Sequence, residues 1–441
     1  MLVPRTSLLI MIAVLVVPSA ALTALQDYAG LGYGLIAGVA IFALIDAMIS
    51  RRMLDELTVL GPGTVRMWQN REESFNLIIR HQRKLRMKLR IALSFPAAVR
   101  AQAEEATIVL AEDAEQSRLT WNCTPVIRGR YAIDLCAVET PSKLRLWDIR
   151  RRYPVDIDIR IYPDVAAGVK NSAAFLKRGL TGARPQRQIG RGREFEKLRD
   201  YSPGDGFDEI DWKATARRAR PITRVFQLEK TQEVYVVLDA SRLLARKCGE
   251  DGPETILDRN ITATLLLAVQ AQKQGDLFGL ITFSDRVHSF VRARNGKAHY
   301  GSCRDALYRL QPRIVTPDFD EVCAQLRLRL RKRALLVFLT ELDDPVVAES
   351  FIRTVNLLRT RHVVLVAMNR PGGAHPLFEG ERPADLQAIY AGLAGHQRWR
   401  KLRELSAILE SKGVRFSLFE PKRMAADLAA SYLGLKQRQV L

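Results

Sequence analysis

Val234-Tyr235-Val236-Val237-Leu238-Asp239-Ala240-Ser241-Arg242-Leu243 is the stretch on which the fold turns. Its first five residues are apolar and mostly β-branched, with no alternation, so the strand they form is predicted to be buried on both faces. Residues 258–274 follow with helical spacing, which puts Ile261, Leu265, Ala268 and Val269 on one face. Working outward, the same spacing rules predict strands over 277–283, 287–291, 334–339, 362–368 and 414–419. Helices are predicted over 303–310, 319–330, 346–359 and 385–411, with a last one from Met424. Continuous apolar strands separated by amphipathic helices demand a mostly parallel sheet covered on both faces, an α/β architecture. Ligands of such folds gather at the carboxyl ends of the strands.

Asp239 and Ser241 stand at such an end, where an acid and a hydroxyl two residues apart can turn hard oxygen ligands toward Mg²⁺. The pattern resembles the von Willebrand A fold, a Rossmann-type domain. Its metal-dependent adhesion site uses Asp-x-Ser-x-Ser plus a threonine and an acidic residue from two later loops. The resemblance implies Asp239, Ser241, Thr316 and Glu341 as metal ligands, with Asp343 and Asp344 as nearby substitutes. Leu243 stands where the second serine would be, so one oxygen is missing. The other reading has Asp239 capping the following loop or pairing with an arginine such as Arg242, leaving the domain as a protein-binding scaffold.

Upstream lies Gly192-Arg-Glu-Phe-Glu-Lys-Leu-Arg-Asp-Tyr-Ser-Pro-Gly-Asp-Gly-Phe-Asp-Glu-Ile-Asp-Trp-Lys-Ala-Thr-Ala-Arg217. This string resembles the signature of a bacterial family catalogued as domain of unknown function fifty-eight, whose members accompany MoxR-type AAA+ ATPases. With the apolar N-terminus and Arg128-Gly129-Arg130-Tyr131, the resemblance extends over nearly the whole chain. Many members carry a basic residue after the Pro-Gly-Asp turn, where this chain has Phe207-Asp208-Glu209. Physically, Pro203-Gly204 makes a tight turn. Glu194, Arg199, Asp205, Asp211, Lys213 and Arg217 alternate in sign around Phe195, Leu198, Ile210 and Trp212. Such a segment can pair its charges while pinning its apolar side chains to the sheet. It reads either as a docking surface or active cleft, or as an ion-paired clamp between two soluble domains.

Between residues 53 and 170 the period changes to two. Leu85, Met87, Leu89, Ile91 and Leu93 alternate with Lys84, Arg86, Lys88 and Arg90, and Val155, Ile157, Ile159 and Ile161 with Asp156, Asp158 and Arg160. Strands without intervening helices suggest a β-sandwich. The cationic face at Arg80, Arg83, Lys84, Arg86, Lys88 and Arg90 lacks interleaved aromatics, which favours a solvated strand face over a nucleic-acid platform. Residues 171–191, rich in Arg and Gly, read as a linker to a last domain over 192–441.

Within residues 1–52, segments 7–25 and 31–49 each approach the length that crosses a hydrocarbon layer. The loop between them carries no Lys or Arg. Arg5 and Arg51-Arg52 flank the pair, which by the positive-inside bias predicts a transmembrane hairpin with a cytoplasmic body. A rival reading makes residues 1–21 a cleaved signal peptide, with the second span as a stop-transfer segment. Asp46 reads as an interfacial acid.

The formal net charge of +20 would attract anionic lipid or nucleic acid, and for a tethered chain lipid is nearer. Five cysteines without C-x-x-C spacing read as free thiols. The six histidines form no H-E-x-x-H, and no Walker A string or nucleophile elbow is present. The leading expectation is a non-enzymatic adaptor in a bacterial inner membrane, whose resemblance implies a MoxR-like ATPase and client proteins as partners. A hydrolase or other enzyme with a site at the sheet's carboxyl edge stands second. Lipid or nucleic-acid binding through charge alone stands third.

Overall fold

Residues 1–162 and 163–441 form two compact units in the computed structural model, which describes residues 1–23, 26–81, 87–110, 115–165, 194–203, 205–227, 231–248, 254–377 and 385–438. The expected linker over 171–191 and residues Arg83, Lys84, Leu85 and Arg86 of the cationic strand lie outside the described residues.

In the first unit, strand β1 (Leu2–Pro4) precedes two helices long and apolar enough to cross a membrane, α1 (Thr6–Thr23) and α2 (Ala29–Ser50). Ile12–Val16 of α1 widens to π pitch. The helices touch where a Cβ on Gly32 would come within 2.7 Å of the Ser19 carbonyl, so only glycine allows this approach. Then follow β2 (Leu57–Leu60), β3 (Gly63–Trp68), β4 (Glu73–His81), β5 (Met87–Leu93), β6 (Val99–Ala101), β7 (Glu105–Leu110), β8 (Gln116–Pro125), β9 (Gly129–Pro141) and β10 (Trp147–Tyr162). A four-stranded sheet runs β2-β4-β8-β6. A six-stranded one runs β1-β10-β9-β5-β7, with β3 also paired to β10. Period-two burial is clean: Met87, Leu89, Ile91 and Leu93 point into a core shared with Phe75, Leu77 and Trp121 of the other sheet. On the outer face, Arg90 Nε meets Glu105 at 2.7 Å, so part of the cationic stripe is neutralised within its own sheet. The hairpin expected over 1–52 is not separate from the β-region, because β1 pairs antiparallel with β10, Leu2 opposite Ile149. Three residues are too few to announce a strand by period.

The second unit begins with a two-stranded ribbon, β11 (Glu194–Asp200) and β12 (Ile222–Gln227), around the short helix α3 (Trp212–Arg218). Strands β13 (Glu233–Asp239), β14 (Leu277–Phe283), β15 (Val287–Arg294), β16 (Ala334–Leu339), β17 (Val363–Asn369) and β18 (Arg415–Phe419) form one sheet in the order β15-β14-β13-β16-β17-β18. All neighbours are parallel except the β14–β15 pair. The helices are α4 (Ile256–Lys273), α5 (Lys297–Leu307), α6 (Phe319–Arg329), α7 (Pro345–Arg359), α8 (Leu386–Ser411) and α9 (Met424–Gln437). Helix α4 starts at a capping box, Thr255 bonding the Asp258 amide and Asp258 the Thr255 amide. The path turns one way from β13 to β14 and the other way from β16 to β18. Right-handed crossovers therefore put α4 on one face and α7 and α8 on the other. Phe283, Phe319, Phe351 and Phe338 pack ring against ring, their centroids 5.0–5.8 Å apart, tying α6 and α7 to the sheet. The cysteines are free, and burial pushes the thiols of Cys136, Cys303 and Cys323 up to about 12, which leaves them unreactive.

Candidate functional site

Numbered within the sheet, the strand order is 3-2-1-4-5-6, and the side to which successive strands are added switches between the parallel neighbours β13 and β16. A crevice opens at the carboxyl ends of such a pair. Asp239 closes β13 there and is fully buried. Its Oδ1 accepts the Ser241 amide at 2.8 Å and its Oδ2 accepts the Thr340 hydroxyl at 2.7 Å. Burial pushes its carboxyl up to about 6 against these two donors. Glu341, one residue beyond Thr340, is equally buried. Its Oε1 accepts the Asn369 amide at 3.2 Å and the Asn369 side chain at 3.1 Å, and Asn369 Nδ2 also reaches Asn260 Oδ1 on α4 at 2.9 Å. Burial pushes Glu341 up to about 8.

Two ion pairs lie outside these networks: Arg242 with Asp344 at 2.8 Å, and Arg246 with Asp343 at 2.6 Å. The loop at 313–315 is stitched to the 240–242 turn, the Arg313 amide bonding the Ala240 carbonyl and the Arg242 amide the Val315 carbonyl.

Of the residues read as metal ligands, Asp239 and Ser241 share one network and Glu341 belongs to another. Thr316 is exposed and, among the described residues, bonds to neither. Ser241 Oγ is buried without a partner, but Leu243 is buried in the place of the second serine. A donor set divided this way does not present the near-ideal octahedron of oxygens that Mg²⁺ demands. Arg242 answers Asp344 and not Asp239. Thr340, Asn369 and Asn260, which complete the edge, were not expected as site residues. Their signal was positional, since Thr340 follows the last residue of β16 and Asn369 ends β17. A Ser–His contact also appears, Ser284 Oγ to His288 Nε2 at 2.7 Å, with Ser284 donating to Asp285 Oδ1 at 2.6 Å. Ser284 is fully buried, so the contact ties the β14–β15 turn and offers no nucleophile to a substrate.

Because Glu341 is held neutral, the folded chain binds more protons than the unfolded one between the ordinary carboxylate range and about pH 8, and stability falls as pH rises through that window. Glu341→Gln keeps an oxygen for both Asn369 donors and carries no charge. It is expected to flatten the pH dependence of thermal unfolding between pH 5 and 8 and to stabilise the chain by roughly 1–3 kcal/mol at pH 8. A melting scan across that range reads both effects.

In the ribbon, Asp205 gathers the Ser202 amide (3.0 Å), Arg199 (2.6 Å) and the Thr223 hydroxyl (3.3 Å), and these donors hold its carboxyl below the ordinary range. Asp211 caps α3 through the Ala214 amide at 3.0 Å and faces Arg224 at 3.6 Å. Ile210 is buried, as expected of a pinned residue, but Trp212 is not: 66% of it is exposed. The Asp211 cap sets the first turn of α3 so that residue 212 points outward with Lys213 and Arg217. The ribbon backbone at Glu194 pairs with Gln227.

Residues 197–373 match the family model described as Protein of unknown function DUF58. Uncharacterized protein Rv1480 of Mycobacterium tuberculosis is 24% identical over 211 residues, 46% of this chain and 64% of its own length. Uncharacterized protein YeaD of Bacillus subtilis is 23% identical over 183 residues, 41% of this chain and 43% of its own. The chain thus spans less than two thirds of either relative. Among solved structures, the conserved hypothetical protein BatB from Bacteroides thetaiotaomicron is 14% identical with a TM-score of 0.31, over 47% of this chain and 99% of that one. An aerotolerance-related membrane protein from Bacteroides fragilis is also 14% identical, with a TM-score of 0.30 over the same shares.

Proposed function

We propose that this chain, whose residues 197–373 match that family, is a membrane-anchored scaffold presenting a von Willebrand A-like sheet and its preceding ribbon to a cytoplasmic protein partner. The observation that carries the reading is the pair Phe207 and Trp212, 76% and 66% exposed on a segment whose neighbouring acids Asp205 and Asp211 are already paired. Large aromatics held in place by internal bonds are the anchors from which protein interfaces draw most of their energy. The carboxyl edge fits the same role. Its acids are buried and satisfied from within, giving a rigid rim to bind against.

Helices α1 and α2 supply the anchor. Their apolar side chains are largely exposed, Leu9, Val14, Leu31 and Leu44 among them, which water does not tolerate and lipid does. Leu8 near the start of α1 and Ala43 near the end of α2 both pack on Leu146, so the two helices return to one end as a hairpin does. With Arg5 and Arg51-Arg52 at that end, the soluble body faces the cytoplasm of a bacterial inner membrane. The resemblance supplies the partner's class, a MoxR-type AAA+ ATPase, in the assembly or maturation of client proteins.

Detergent-solubilised chain and the purified ATPase of the same organism test this. Association is expected in at least one of the ATP, ADP and nucleotide-free states. Phe207→Ser with Trp212→Ser should lower it at least tenfold, as for two anchors of about 1–2 kcal/mol each, with the melting temperature unchanged. Failure to associate in all three states sinks the reading.

A further inference from the structure

The amino edge of the same sheet, opposite Asp239, carries an open cleft of about 630 Å³ between the last turns of α6 and α7 and the residues leading into β17. Arg327 and Arg361 line it, with Leu328 and Leu357 at its rim and His362 in its wall. Volumes of this size are typical of sites for small ligands. Its electrostatics are one-signed. Neither arginine has an acidic partner among the described residues, and no Asp or Glu lines the cleft. His362 is 95% buried, and its Nδ1 is among the buried polar atoms without a hydrogen-bond partner. Burial and the charge of Arg361 hold this imidazole below its ordinary value, so it waits as a neutral ring that can give or take one hydrogen bond. Leu328 is 77% exposed and Leu357 51%, an apolar margin beside two unpaired guanidinium groups.

We propose that this cleft binds a phosphate group, Arg327 and Arg361 supplying the paired donors and His362 a third contact. Guanidinium forks match the three acceptor oxygens of a phosphate better than any other side chain, and two of them facing one cleft without a counter-ion would repel each other unless an anion lies between. The leucine margin fits a phosphate carried on an apolar chain, as in a lipid headgroup, and a free phosphate shares the same polar chemistry. The site is independent of the scaffold reading, since it shares no residue with the ribbon or the Asp239 edge.

Titration calorimetry of the full chain, held in zwitterionic lipid discs, separates these sources. The probes are inorganic phosphate, dihexanoyl phosphatidic acid and, as control, dihexanoyl phosphatidylcholine. Saturable binding of phosphatidic acid at least tenfold tighter than phosphate assigns a lipid source, whereas equal affinities assign a free phosphate. In either case Arg327→Gln with Arg361→Gln, both exposed and so without consequence for folding, is expected to lose at least tenfold in affinity. His362→Asn should lose less while the arginines remain. No heat from either phosphate probe, heat unchanged in the double arginine variant, or equal heat from phosphatidylcholine would overturn the proposal.

Discussion

Asp276→Ala is expected to cost the second unit about 3–5 kcal/mol, the usual penalty for removing one partner of a buried ion pair. The carboxylate is fully buried at the turn between α4 and β14. It accepts the Gln232 amide at 3.0 Å, Lys436 Nζ at 2.7 Å and the hydroxyl of Tyr432. Both side-chain donors come from α9, which packs along α4, so one acid fastens the last helix to the start of the first two strands. Tyr432 is itself fully buried, and burial together with the neighbouring carboxylate drives its phenol far above the ordinary range. Alanine would strand a buried hydroxyl and the Gln232 amide at once and leave the Lys436 ammonium with the Gln274 carbonyl at 3.1 Å. Urea unfolding followed by proteolysis should show a lowered midpoint and early cleavage after Lys436. Asp276→Asn, which keeps one acceptor, should fall between wild type and alanine. An unchanged midpoint would mean that apolar contacts of Leu428 and Leu435 alone hold α9.

The second large effect is expected at Asp46. This acid in the last turns of α2 is buried because the 142–147 turn of the β-region closes over it. Ser142 Oγ donates to Oδ2 at 2.5 Å, the Leu144 amide to Oδ1 at 3.1 Å and Ser50 Oγ to Oδ1 at 3.3 Å. Beside it the Lys143 amide bonds Ser50 Oγ and the Trp147 indole donates to the Ala43 carbonyl at 2.9 Å. A clasp of this kind joins α2 to the β-region of the same unit. Asp46→Ala should release the turn at a cost of about 2–4 kcal/mol, since each buried donor left without its acceptor costs roughly 1–3 kcal/mol. Trypsin cleavage after Lys143 and Arg145 in sealed vesicles is expected to rise at least tenfold. Protection equal to wild type would show that Leu146, packed against Leu8 and Ala43, is the clasp instead.

Both effects depend on pairings that span the chain, and the same division separates what was legible in the sequence from what was not. Period two at Met87–Leu93 and the unbroken apolar run ending at Leu238 each declare a strand and the number of its buried faces, because solvation acts on one side chain at a time. The apolar spans and the alternation of strands with helices follow from the same local physics. The carboxyl-edge location of Asp239 came with it. The acid's own chemistry did not: whether it meets a metal, an arginine or a hydroxyl depends on what the fold delivers from far along the chain, and it delivers Thr340, 101 positions on. Trp212 shows the converse, an apolar residue expected inside that the bond from the Ala214 amide to Asp211, three residues earlier, leaves outside. Strand order decided the rest. By placing β13 beside β16 it brought the ends of distant strands to one edge, and by closing β10 against β1 it seated the 142–147 turn on Asp46. Burial pattern is a property of each residue in turn and can be read along the chain. The partner of a buried polar group is a property of topology, and only the folded chain supplies it.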